Sequence, residues 1–149
     1  MFQNWGDVYK IEFCIKVEQL PAAEWTNVFR FSGTDNDCCN NGDRIPAIKI
    51  NKNGYFYVRS SVNGNGDYGQ SYYFDLGKQY QMTIQQLKEN GKYWYENIID
   101  GTSKFKIENE QPKIFSNVKL YGSDPWYNPF TSDLGSICNI NTIQPEGKG

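Results

Sequence analysis

From Tyr9 onward the chain alternates without a break: Tyr9, Ile11, Phe13, Ile15 and Val17 are apolar, and Lys10, Glu12, Cys14, Lys16 and Glu18 follow them in turn. Successive side chains of a strand point to opposite faces, so this stretch is a long strand with one buried and one wet face. A helix would scatter the same residues around its circumference. The apolar side then needs a second layer to cover it.

The rest of the chain repeats the signal in shorter pieces. After Pro21 a strand is expected at Val28 to Phe31, then a polar loop from Ser32 to Asp43, then a strand from Pro46 to Ile50. Asn53-Gly54 turns the chain into Tyr55 to Val62. The run Asn63-Gly64-Asn65-Gly66-Asp67 reads as a loop before Tyr72 to Leu76. Tyr80, Met82 and Ile84 alternate again, and Asn90-Gly91 leads to Tyr93 to Ile99. Asp100-Gly101 then leads toward Phe105 and Ile107. Asn-Gly and Asp-Gly are the preferred two-residue hairpin turns. Strands follow at Val118 to Tyr121 and Gly135 to Ile143, with room for a short helical turn near Gln111 to Phe115. Roughly ten short strands at regular spacing describe an all-β, two-sheet antiparallel sandwich. With no repeat or linker, the 149 residues read as a single domain, its core about 8–143 and its tail 144–149 loose.

Composition narrows the function. Hydrophobic residues are only 38% of the chain while aromatics reach 16%, so rings carry much of the packing, as suits a pleated surface. A net charge of −2 without a basic run argues against nucleic acid as partner. No apolar stretch approaches the ~18–20 residues of a membrane span. The opening residues 1–7 lack a secretory signal, so an exported form would be mature or excised. Four cysteines, Cys14, Cys38, Cys39 and Cys138, match no zinc spacing and lean toward disulfides in an oxidising, extracellular setting.

The chain has no histidine, which removes Ser-His and Cys-His nucleophiles and the usual general base. Two carboxylates across a sugar bond need no histidine, and Glu108 and Glu110 are the nearest such pair. They sit in Ile107-Glu108-Asn109-Glu110-Gln111-Pro112, which reads as an exposed turn of solvated carboxylates.

Two phrases are distinctive: Gly42-Asp43-Arg44-Ile45-Pro46-Ala47, behind Asp35 to Asn41, and Ser123-Asp124-Pro125-Trp126-Tyr127, behind Val118 to Gly122. With Val62 to Gly66 between them, they resemble the signature loops of laminin G-like domains, within the wider concanavalin A-like lectin and glucanase sandwiches. The resemblance spans about Val8 to Ile143. It implies a jelly roll whose first and last strands are neighbours, a sugar or protein ligand at one rim, and calcium as cofactor. Neighbouring terminal strands would make Cys14 and Cys138 partners, leaving Cys38 and Cys39 to bridge each other or reach another chain. Glucanase members carry a Glu-x-Asp-x-x-Glu motif; no Glu-x-Asp occurs here.

Read on their own, Asp35, Asp37, Asp43 and Asp124 are loop carboxylates able to meet on a hard cation, but the favoured reading is that they shape turns by bonding their own backbone. Asp43 and Arg44 suit a structural pair. Asn63, Asn65, Asp67, Trp126 and Tyr127 are the candidate ligand contacts, Trp126 and Tyr127 because aromatics on a stiff loop are stacking platforms. Trp126 fits a plug for the end of the core better than a ligand contact, and for Tyr127 the two roles are even.

The reading is therefore a non-enzymatic, extracellular, lectin-like adhesion module for a glycan or matrix protein, assisted by calcium. The alternatives are a structural subunit self-assembling into a homo-oligomer, fibre or coat, and a glycosidase of the same fold.

Overall fold

The computed structural model describes residues 2–34, 36, 38–122, 127–138 and 140–143. Asp35, Asp37, Asp124, Trp126 and the tail 144–149 lie outside these. The strands in chain order are β1 Phe2–Trp5, β2 Tyr9–Val17, β3 Trp25–Ser32, β4 Ala47–Asn51, β5 Tyr55–Val62, β6 Asn65–Tyr73 and β7 Gln79–Glu89. Then come β8 Lys92–Ile99, β9 Thr102–Glu108, β10 Phe115–Tyr121, β11 Asn128–Pro129, β12 Gly135–Ile137 and β13 Asn141–Ile143. No helix occurs among the described residues, and the turn expected at 111–115 is instead the approach to β10.

One sheet has seven strands in the order β1-β10-β3-β4-β5-β6, with β11 also on β3; the other has six, β12-β2-β7-β8-β9, with β13 also on β2. All pairings are antiparallel except β11 with β3. The result is a two-sheet jelly-roll sandwich. Alternation works as expected in β2, where burial switches with every residue. Ile11, Phe13 and Ile15, with Met82 and Ile84 of β7, face Phe29, Phe31, Ile48, Phe56 and Val58 of the other sheet. Phe13 and Phe29 meet edge-on at 4.9 Å. Burying one such side chain is worth about 1.5–3 kcal/mol.

Turn chemistry sets the hairpins. Asn63-Gly64, Asn90-Gly91 and Asp100-Gly101 all hold positive φ at both residues (53° and 76°, 52° and 77°, 52° and 80°), the two-residue turn that matches strand twist. At Asn63-Gly64 this corrects the expected loop: the chain reverses in two residues, and β6 pairs with β5 from Val62↔Asn65 to Tyr55↔Tyr73. The expected strand at 135–143 is split into β12 and β13, both on β2. Between them Cys138 donates its N–H to Cys14 O (3.0 Å), and the two cysteines form a disulfide.

Strand β3 carries one extra residue. Asn27 pairs with Lys49 and Phe29 with Ile48, which leaves Val28 as a bulge between them. Before the bulge Asn27 faces outward, and after it Phe29 and Phe31 face the core while Arg30 turns out beside Ala47.

Candidate functional site

The side of the seven-stranded sheet turned away from the core is built by the polar members of its strands. In β4, Lys49 and Asn51 alternate with core residues Ile48 and Ile50; in β5, Tyr55, Tyr57 and Arg59 alternate with Phe56 and Val58. Strand pairing lines these up in rows across the sheet. Trp25, Asn51, Tyr55 and Tyr73 form one row; Asn27, Lys49, Tyr57 and Ser71 form the next. Arg30, Ala47, Arg59 and Gly69 form the third.

A cavity of about 230 Å³ opens on this face, lined by strand residues Trp25, Lys49, Tyr57 and Asp67 and by Arg44, Cys38 and Tyr127 from the loops. Arg44, its side chain only 5% exposed, reaches Asp67 with Nη1 2.5 Å from Oδ1. The Tyr57 hydroxyl lies 3.0 and 2.9 Å from the two Asp67 oxygens. Arg59 stacks over the Tyr57 ring, 3.6 Å from its centroid, and donates to the carbonyls of Val58 (3.0 Å) and Gln70 (2.5 Å). Lys49 Nζ sits 4.3 Å from the Tyr127 ring centroid. Burial pushes the Tyr57 phenol above its ordinary pKa; the Arg59 charge opposes this, and the hydrogen bond and charge of Asp67 add to it. Tyr57 therefore stays protonated and donates to Asp67.

The loop Thr34 to Arg44 is fastened where it meets the sheet. Ser61 Oγ accepts from Gly42 N (2.8 Å) and donates to Arg44 O (2.9 Å). Gly66 in β6 lies against the carbonyls of Cys39 and Asn40, close enough that a Cβ would collide with them. That approach brings the Cys38–Cys39 disulfide beside Asp67.

The sequence candidates divide accordingly. Asp67 and Tyr127 line the cavity. Asn65 accepts the N–H of Asp67 (2.9 Å) and shapes the entry to β6. Asn63 is a latch between the sheets: Nδ2 donates to Glu108 O (3.1 Å), Oδ1 accepts from Glu110 N (2.6 Å), and its backbone N–H donates to Asn109 Oδ1 (3.0 Å). Asp43 and Arg44 are not each other's partners. Asp43 is fully buried and accepts from the Thr34 hydroxyl and from Asn40 N (2.8 Å), whereas Arg44 pairs with Asp67. Glu108 and Glu110 lie away from the cavity, at the end of β9, where Glu108 faces Lys92 at 3.9 Å.

A hard cation such as calcium needs about six to eight oxygens. Among the described residues, the one group with ligand atoms close together is Cys38, Cys39 and Asp67, within 4.8 Å. Cys38 and Cys39 are bonded to each other and offer no thiolate, and one carboxylate does not make a calcium site. Trp25, Lys49 and Tyr57, missed by a search of loops, line the cavity from strands, and Arg59 stacks on Tyr57 beside them. Their signal was a strand alternation whose outward members are aromatic or cationic instead of small and polar.

No family model matches this chain, and no curated protein matches it. Among solved structures, a crystal structure of alginate lyase A1-II′ superposes with a TM-score of 0.54 at 15% identity, covering 97% of this chain and 65% of that one. A 1.0 Å structure of A1-II′, a member of polysaccharide lyase family 7, gives 0.52 at 13% identity, covering 96% and 64%. A variant in complex with product gives 0.52 at 18%, covering 96% and 66%. This chain thus spans just under two thirds of the lyases' length, and at such identities the likeness is one of fold. It corrects the expectation that the chain is not an enzyme. The missing histidine and Glu-x-Asp motif speak against particular catalytic sets, whereas the sandwich that suggested a binding module is the one these lyases use.

Proposed function

We propose that this chain acts on a polysaccharide laid across the outer face of the seven-stranded sheet, with Tyr57 and Asp67 as its proton-transferring pair. The observation that carries this is the phenol of Tyr57 held on Asp67 beneath Arg59 and beside Arg44. In eliminative cleavage of a uronate chain, a proton leaves the carbon next to the carboxylate and the glycosidic oxygen departs from the neighbouring carbon. The Tyr57 oxygen takes that first proton while passing its own to Asp67. It then gives a proton to the departing oxygen, and Asp67 returns the one it stored. Nearby guanidinium and ammonium groups steady the sugar carboxylate as charge builds on it. Two disulfides suit an oxidising compartment, so the reading places the protein outside the cytosol.

Purified protein incubated with alginate, a sulfated polysaccharide and a neutral glucan tests this. Elimination produces a conjugated double bond that absorbs in the ultraviolet; hydrolysis produces new reducing ends without it. We expect double bonds from the uronate chain, with Tyr57→Phe reducing the rate by about 10²–10⁴. Neither product from any polymer would remove the reading.

A further inference from the structure

A second cavity, about 470 Å³, lies at the edge of the same sheet, where β6, the start of β7 and the β8–β9 hairpin meet. Its size is that of an ordinary small-ligand pocket. Phe56, Tyr72, Tyr73 and Tyr80 supply rings, and Lys78 and Lys104 supply positive charge. The carboxylate of Asp100, also in the lining, accepts the N–H of Gln81 (2.9 Å). Tyr73 is 80% exposed, although it could have been any small polar residue at an edge strand's end.

A row of rings runs from one cavity to the other. Tyr57 in the first touches Trp25 at 4.8 Å between centroids, Trp25 touches Tyr55 at 6.1 Å, and Tyr55 touches Tyr73 at 5.5 Å. Trp25, Tyr55 and Tyr73 share one row running across the strands. Aromatic rings present an apolar body that a sugar face can cover, and cations beside them favour acidic sugars.

We infer that the second cavity is an anchoring subsite for an anionic sugar of the same glycan chain, whose carboxylate or sulfate meets Lys78 and Lys104 while its ring covers Tyr73. This rests on the proposed polysaccharide site and names its substrate: an acidic chain long enough to reach from Tyr57 to Tyr73.

The test is calorimetric titration, with turnover measured in parallel, of wild type, Tyr73→Ala and Lys78→Ala/Lys104→Ala. The probes are uronate oligosaccharides of increasing length, a sulfated series and a neutral series. These side chains are exposed, so circular dichroism should show the variants folded. We expect wild-type affinity for an acidic series to rise by about tenfold once the chain spans the row, the worth of one stack with its cations. Both variants should lose that rise while binding short chains as wild type does. Whether the uronate or the sulfated series shows the rise identifies the acid. An equal rise in wild type and variants, or one shared by neutral chains, overturns the subsite and leaves the proposed function standing. A Tyr73-dependent rise without turnover removes the catalytic reading and keeps the subsite. No binding by any series ends both.

Discussion

Replacing Asn63 separates a latch from a ligand contact. Its side chain makes two hydrogen bonds to the far sheet's loop, to Glu108 O and from Glu110 N, and its φ is 53°. Losing both bonds is worth about 2 kcal/mol at roughly 1 kcal/mol each. Alanine adds about 1 kcal/mol more, because a Cβ without a local hydrogen bond is disfavoured at left-handed φ. Asn63→Ala should therefore be destabilised by about 3 kcal/mol, and Asn63→Gly by about 2 kcal/mol, since glycine is free of the backbone term. Equilibrium urea denaturation measures both, and with a slope of about 1–3 kcal/mol per molar the midpoint of the alanine variant should fall by at least about 1 M. Oligosaccharide affinity of the folded alanine variant should stay within about twofold of wild type, the effect of a surface residue outside the site. A variant as stable as wild type but unable to bind would refute the latch and return Asn63 to the ligand set.

Gly66→Ala should lower the melting temperature, since its methyl group meets the Cys39 and Asn40 carbonyls, at an overpacking cost of about 1–3 kcal/mol. Thermal unfolding checks that, and because those carbonyls belong to the loop bordering the first cavity, glycan affinity should fall with it. Alkali should unfold the protein. Burial raises the pKa of Tyr9 to about 12 against a weaker opposing bond from Ser60, and raises Tyr72 and Tyr95 in the same direction. A phenol raised on folding contributes its full stability below pH 10, and loses it as pH climbs to about 12 because only the unfolded chain ionises early. For Tyr9 that loss is roughly 3 kcal/mol, and Tyr9→Phe, followed by urea titration at several pH values, should show a shallower decline.

Much of the sandwich was visible in the chain because it is written in local rules. The alternation of Tyr9 to Val17 became β2 with its burial intact, and Asn90-Gly91 and Asp100-Gly101 made the tight turns their residue types favour. The misread stretch, Asn65 to Ser71, has a composition poor for strands, with Gly66, Gly69 and Gln70 inside it. It forms a strand because β5 offers an edge and the Cys39–Asn40 backbone leaves no space at position 66 for a side chain. Tertiary packing overrode propensity there. The site was half legible. Asp67 and Tyr127 stood out as loop-like polar and aromatic residues, but Trp25, Lys49 and Tyr57 come together only through the pairing of β3, β4 and β5, a register that no single segment encodes.

The spare residue at Val28 makes β3 two half-strands with opposite phase. Trp25 and Asn27 answer to the outer face, Phe29 and Phe31 answer to the interior, and neither half imposes its parity on the other. Deleting that one position would not simply shorten the strand. It would swing Phe29 and Phe31 toward water and press the Arg30 guanidinium inward, so a lineage can trade side chains freely on either half yet has almost no freedom to change the number of residues between them.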